Sequence, residues 1–160
     1  MTQAKTSHIG IDKKESEQIV EKLNRLLATY SVFYMNVRGY HWNVKGELFF
    51  ALHAKFEEMY DDLATKIDEI AERVLTLGCA PDHAYSVYLK NSSIKEDVGV
   101  DDGKTCAKAV LDGLKTLVKE EKELLAQAEK NEDEGTAAMM SDYIASQEKT
   151  IWMYSAFLAK

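Results

Sequence analysis

Apolar residues return at steps of three and four along almost the whole chain, and one stretch of 25 residues, Gly78 to Asp102, interrupts them. That period marks helices with one buried face. The first run places Ile19, Leu23, Leu26, Tyr30, Phe33 and Val37 on one stripe, with Val20, Leu27 and Tyr34 beside it. Asp12 and Glu15 have capping-box spacing and predict where it starts. The second run extends from about Glu47 to Leu77, with Phe49, Leu52, Phe56, Met59, Leu63, Ile67, Ile70, Val74 and Leu77 facing the core. Gly78 and Pro81 stop it. The third opens at Asp101 or Asp102 and carries Val110, Leu114, Leu117, Leu124 and Ala128, and the fourth carries Met140, Ile144, Ile151, Tyr154 and Leu158.

Short links at Gly39–Gly46 and around Asn131–Gly135 predict two antiparallel helical hairpins. The Gly78–Asp102 segment, at about 3.3 Å per extended residue, can run the full height of a bundle about 46 Å tall. The expected fold class is therefore all-α, a four-helix bundle with one long crossover, as in ferritin-like folds. Tyr85–Leu89 or Ile94–Val98 adds a short helix within that crossover. No strand pattern, internal repeat or low-complexity tract is present.

With 160 residues and 46% hydrophobic content, one domain over 1–160 is expected, with 1–11 as a short polar tail. No apolar run approaches the ~20 residues that a membrane span needs. Met1–Ser16 has neither an apolar signal core nor a small-residue cleavage pattern, which makes a cytoplasmic protein the expectation. Cys79 and Cys106 form no CxxC and read as reduced thiols without a chemical role. The formal charge of −7 argues against a general polyanion-binding surface and favours attraction of cations.

Chemistry concentrates on His41, His53, Glu57, Asp68 and Glu72. The pairs His53/Glu57 and Asp68/Glu72 each have i,i+4 spacing, and the eleven-residue step from 57 to 68 returns to within about 20° of the same helical bearing. The two pairs nevertheless lie roughly 16 Å apart along the helix, far beyond a metal–ligand bond of about 2 Å. Their common midpoint falls between Asp62 and Leu63, so a two-fold axis there would set two copies antiparallel. His53 and Glu57 of one copy would then face Glu72 and Asp68 of the other, giving two equivalent sites. Ala64, on the same stripe near that axis, is small enough for close helix approach.

Each of these residues taken singly has an ordinary alternative, as a packed histidine or an acid on a wet helix face. Glu58, Asp61, Asp62 and Glu69 show how acid-rich the helix is. Mixed imidazole and carboxylate ligation suits iron(II), manganese and zinc alike. The chain has no Glu-x-x-His pair, so the interior of a single bundle is a poor place for a di-iron centre.

The stretch His41-Trp42-Asn43-Val44-Lys45-Gly46, followed by Phe49, Leu52-His53, Phe56-Glu57, Tyr60, Asp68, Ala71-Glu72-Arg73 and Leu77-Gly78, resembles the signature of the Dps family, the mini-ferritins of prokaryotes. The likeness covers nearly the whole chain. It implies a ferritin-like bundle assembled into a hollow homododecamer, with ferroxidase activity that oxidises iron(II), typically with hydrogen peroxide. Iron(III) is stored inside, protecting the cell from oxidative damage. By matching positions, His41, His53 and Glu57 would come from one subunit and Asp68 and Glu72 from its two-fold mate, holding one iron or two. Zinc or manganese are the implied substitutes. The family more often has Asp where this chain has Glu57.

The resemblance further implies an electron-donor role for Trp42, with a packed aromatic as the alternative. It implies an ion-entry pore whose matching acids are Asp133 and Asp142, with favourable charge at the next helix's amino terminus as the alternative. Many relatives bind DNA through lysine-rich tails, and the rival function is a nucleoid-protecting, DNA-binding protein with a minor iron role. Here Asp12 and Glu15 dilute Lys5, Lys13 and Lys14, which predicts weak or absent DNA binding. A metal-free interaction bundle is the third reading.

Overall fold

Asp12 starts the first helix in the computed structural model, which describes Ser7 and residues 9–159. Lys5 and the rest of 1–6, with His8, lie outside the described residues. The Asp12 carboxylate accepts from the backbone N–H groups of Lys14 and Glu15 at 2.9 and 3.3 Å, satisfying two of the donors that a helix start leaves free. Helix α1 then runs over Lys13–Asn43, α2 over Phe49–Thr76, α3 over Tyr85–Asn91, α4 over Gly103–Lys130 and α5 over Glu134–Leu158. No strand occurs among the described residues; a parallel bridge joins Lys45 to Asp102.

Helix α1 packs along α2 and α4 along α5, and the two hairpins meet mainly through α1 and α4. Most residues expected on the inner stripes are buried, with Tyr30, Phe33, Phe56, Leu63, Ile70, Leu117 and Leu124 among the most enclosed, while Phe49, Met59, Ile67, Ile151, Tyr154 and Leu158 are only half-buried. At the α1–α4 crossing, a Cβ on Gly113 would collide with the Phe33 ring, so the absence of a side chain sets how closely the hairpins approach. Helix α2 ends in a Schellman turn: Gly78 takes φ +86, its N–H donates to Leu75 O, and the Cys79 N–H donates to Val74 O.

Two expected boundaries move. Gly39 is not part of the first link but lies within α1, which continues to Asn43 because Tyr40 and His41 pack against α2. That packing outweighs the roughly 1 kcal/mol that glycine costs inside a helix. The link is 44–48, and its turn is made at Gly46, φ +99. Gly135 likewise lies inside α5; the second link is 131–133, with Glu132 at φ 54.

Of the two candidate crossover helices, Tyr85–Asn91 is helical and 94–98 is not. The latter segment is instead clamped to α1 in an extended course. Asn36 donates Nδ2–H to Lys95 O at 2.8 Å and accepts the Asp97 N–H at 3.0 Å, and the Tyr40 hydroxyl donates to Asp97 at 2.5 Å. Asn24 accepts from the Asp82 N–H and Thr29 from the Ser93 N–H. Polar residues in an otherwise apolar helix thus supply the partners that a crossover without ladder bonds requires. The Lys45 N–H donates to Asp101 O at 2.9 Å, tying the end of the crossover to the α1–α2 link.

Both cysteines are free. Burial, with the nearby charges of Asp102, Asp97 and Asp101, pushes the Cys106 thiol up to about 11, which keeps it protonated and unreactive. No helix among the described residues is long and apolar enough to cross a membrane.

Candidate metal centre

The 44–48 link folds α2 back so that His41, in the last turn of α1, meets His53, in the second turn of α2. Their rings stack with centroids 3.8 Å apart and planes 20° from parallel. Each Nδ1 lies 2.8 Å from the backbone carbonyl oxygen of the other residue. A carbonyl only accepts, so each Nδ1 carries a hydrogen and Nε2 is the ring nitrogen left to offer a lone pair. The His41 carbonyl is one of the last four of α1, which have no partner within the helix, and His53 supplies one. The pair thus fixes the tautomer and orientation of two imidazoles and leaves two nitrogen ligands free.

Aromatic neighbours hold the pair in place. The Phe49 ring stacks on His53 at 5.1 Å, and Tyr60 meets His41 edge-on at 5.2 Å. The Tyr60 hydroxyl donates to Glu57 at 3.4 Å, and burial, followed by the Glu57 and Asp61 charges, raises its phenol above the ordinary value. Glu57 itself is exposed, one turn after His53.

Asp68 and Glu72 lie further along α2, exposed, and their carboxylates make no hydrogen bond or ion pair among the described residues. Within one chain, no group of three or more His, Cys, Asp or Glu among the described residues lies close enough to hold a metal ion. The structure brings His41 and His53 together, while Glu57, Asp68 and Glu72 stand apart from them along α2. Ala64, between Glu57 and Asp68, is also exposed.

Trp42 is 58% exposed and does not pack in the core. The Arg38 guanidinium lies 4.9 Å from its ring centroid, 5.0 Å from that of Tyr60 and 5.6 Å from that of Tyr34, whose hydroxyl accepts an Arg38 N–H at 2.7 Å. Asp133 is 1% exposed. It caps α5 by accepting from the Thr136 N–H and hydroxyl, and its other contact is an ion pair with Arg73. The helix-capping alternative is what this residue does in the single chain. Asp142 is exposed on α5.

Sequence reasoning missed the supporting roles of Phe49, Tyr60 and Arg38 around the histidines. It also missed Glu121, wholly buried on α4 and bonded to Tyr30 and Gln147. A signal existed for the last: positions 117, 121, 124 and 128 continue the inner stripe of α4, and an acid on that stripe has no solvent to face.

Residues 20–160 match the ferritin-like domain family. An uncharacterized protein of Haemophilus influenzae is 59% identical over 153 residues, covering 96% of this chain and 95% of its own length. The DNA protection during starvation protein of Porphyromonas gingivalis is 40% identical over 151 residues, 94% of this chain and 95% of that protein. Among solved structures, a Dps protein from Vibrio cholerae O1, a member of a broad superfamily of ferritin-like diiron-carboxylate proteins, matches with a TM-score of 0.97 and 49% identity. That match covers 99% of this chain and 100% of the other.

Proposed function

This chain belongs to the Dps family of ferritin-like proteins, and on that footing we propose that it oxidises iron(II) with hydrogen peroxide and stores iron(III) within a homododecamer. Its role is to protect the cell from oxidative damage. The observation that carries this reading is the reciprocal His41–His53 pair, which joins the end of α1 to the start of α2 and leaves two Nε2 atoms free, while the unpaired carboxylates Asp68 and Glu72 sit too far along α2 to join them in one chain. Two copies set antiparallel about the midpoint of α2 bring the halves together.

In this arrangement His41 and His53 of one subunit and Asp68 and Glu72 of its mate hold the iron(II) substrate, and Glu57 completes or bridges a second iron position. Zinc and manganese fit the same donor set. The carboxylates offset the positive charge gained as iron(II) becomes iron(III). Each peroxide takes one electron from each of two iron(II) ions, with two protons, and leaves as two waters. Trp42, exposed one residue from His41, is assigned an electron-donor role, with the Arg38 cation over its face opposing loss of an electron. Asp133 and Asp142 are assigned to an ion-entry route near the α4–α5 junction, Asp142 exposed on α5 and Asp133 paired with Arg73.

Subunit complementation tests the shared site. His53→Ala and Asp68→Ala proteins should each lose peroxide-driven iron oxidation. When the two chains are unfolded together and reassembled, a mixed dimer regains one intact site, with His53 from one chain and Asp68 from the other. Recovered activity in the mixture supports the reading. No recovery in a correctly assembled mixture, or full activity in either single variant, contradicts it.

A further inference from the structure

Tyr30 from α1, Glu121 from α4 and Gln147 from α5 meet in the middle of the bundle, and the buried Lys66 of α2 acts on Glu121 through its charge. None belongs to the proposed iron site. Glu121 is 0% exposed, and both donors that reach it converge on a single oxygen. The Tyr30 hydroxyl donates to Oε1 at 2.5 Å and the Gln147 Nε2–H donates to the same atom at 2.7 Å. Among the described residues Glu121 Oε2 has no hydrogen-bond partner, and neither has Gln147 Oε1. An ionised carboxylate here would leave one buried anionic oxygen without a donor beside another unpaired acceptor, a doubly unfavourable arrangement.

The two unpartnered oxygens belong to the two side chains that the Nε2–H···Oε1 bond already joins. A carboxylic acid and an amide pair through a ring of one N–H···O and one O–H···O bond. The first bond is formed; the second needs a proton on the acid. We propose that Glu121 is a proton-binding site at the centre of the bundle, carrying its proton on Oε2, donating it to Gln147 Oε1, and releasing it as the solution turns alkaline, with Lys66 receiving the resulting charge.

Lys66 is placed for that exchange. Its side chain is buried, its ammonium is bonded to Asp62, an acid that is mostly solvated, and it lies 5.2 Å from the Tyr143 ring centroid. Ionisation of Glu121 gives it a second, buried counter-charge. The titratable and charged groups facing Glu121 are Tyr30 from α1, Lys66 from α2, Glu120 on its own helix and Tyr143 from α5. Burial pushes the Glu121 carboxyl up to about 7, outweighing the Tyr30 and Gln147 hydrogen bonds and the Lys66 charge, all of which pull it down. Because the folded value lies above the ordinary 4.5, the stability this group contributes is complete below that value and is lost as pH rises toward about 7.

Infrared spectra and thermal unfolding of the assembled protein, from about pH 5 to about pH 9, test the proposal. The wild type should show a protonated-carboxyl carbonyl band that disappears with a midpoint near neutrality. Glu121→Gln, whose amide closes the ring at any pH, should lack the titrating band and lose the matching fall in unfolding temperature. Lys66→Met should move the wild-type midpoint upward, because the ionised form loses its cation. A wild type without the band at the acid end, a band that persists in Glu121→Gln, or a midpoint unmoved by Lys66→Met overturns the proposal. Should Glu121→Gln fail to assemble, the wild-type titration and its shift in Lys66→Met decide the matter.

Discussion

His41 and His53 bond each to the other's main chain, Nδ1–H to carbonyl at 2.8 Å in both directions, with the two rings stacked between them. The arrangement orients both imidazoles before any ion arrives, so binding need not include the entropy of ordering them. It also makes the end of α1 and the start of α2 one unit, which is why replacing either histidine should disturb the link at 44–48 as well as the ligand set.

Glu57 tests the chain's departure from its family's usual Asp. Glu57→Asp should hold the rate of iron oxidation within about threefold of wild type, while Glu57→Gln, which can still accept the Tyr60 hydroxyl, should weaken iron(II) binding by about tenfold or more. Calorimetric titration under anaerobic conditions measures the affinity. An unchanged affinity in Glu57→Gln removes this residue from the ligand set.

Asp133 should matter to stability through its cap and its partner Arg73. Asp133→Ala leaves Arg73 unpaired and the start of α5 uncapped, and is expected to cost about 3 kcal/mol. Asp133→Asn, which can still accept from the Thr136 N–H, should cost less. Equal unfolding midpoints for the two variants would show that charge, not capping, dominates.

Gly113→Ala drives a methyl into the Phe33 ring at the crossing of α1 and α4. The expected loss is about 1–3 kcal/mol, read as a lowered unfolding midpoint. Because the clash is with a side chain, Phe33→Leu in the same chain should recover part of it, and a double variant no better than Gly113→Ala contradicts that assignment.

DNA binding should be weak or absent at neutral pH and physiological salt. The chain carries a formal charge of −7, and assembly multiplies it, whereas affinity for a phosphate backbone grows with accumulated Lys and Arg. Gel-shift titration of duplex DNA should show no retention, and tight retention would favour the nucleoid-protecting role.

The helices were legible because their stripes repeat many times, so Leu23, Phe56, Leu117 and Met140 each have company that fixes their face. Boundaries were less so. Gly39 looks like a stop in one dimension, but the contacts that carry α1 past it come from Phe56 and His53, on another helix. The crossover followed the same rule: nothing local tells 85–91 from 94–98, and the choice is made by Asn36 and Tyr40 on α1. At the candidate site the spacing of His53, Glu57, Asp68 and Glu72 predicts two half-sets, while the His41–His53 lock and its Tyr60 and Phe49 supports depend on how two helices meet. Asp133 combines both cases, since its cap to Thr136 is local in the sequence and its ion pair with Arg73 depends on another helix.

The shared site is tested most directly by anomalous diffraction from crystals of the assembled protein soaked in iron(II). The account predicts a peak at the two-fold interface, about 2.0–2.3 Å from Nε2 of His41 and His53 of one subunit and from carboxylate oxygens of the partner subunit's Asp68 and Glu72. Iron bound by residues of one chain alone, or a two-fold interface that leaves these groups facing solvent without iron, would contradict it.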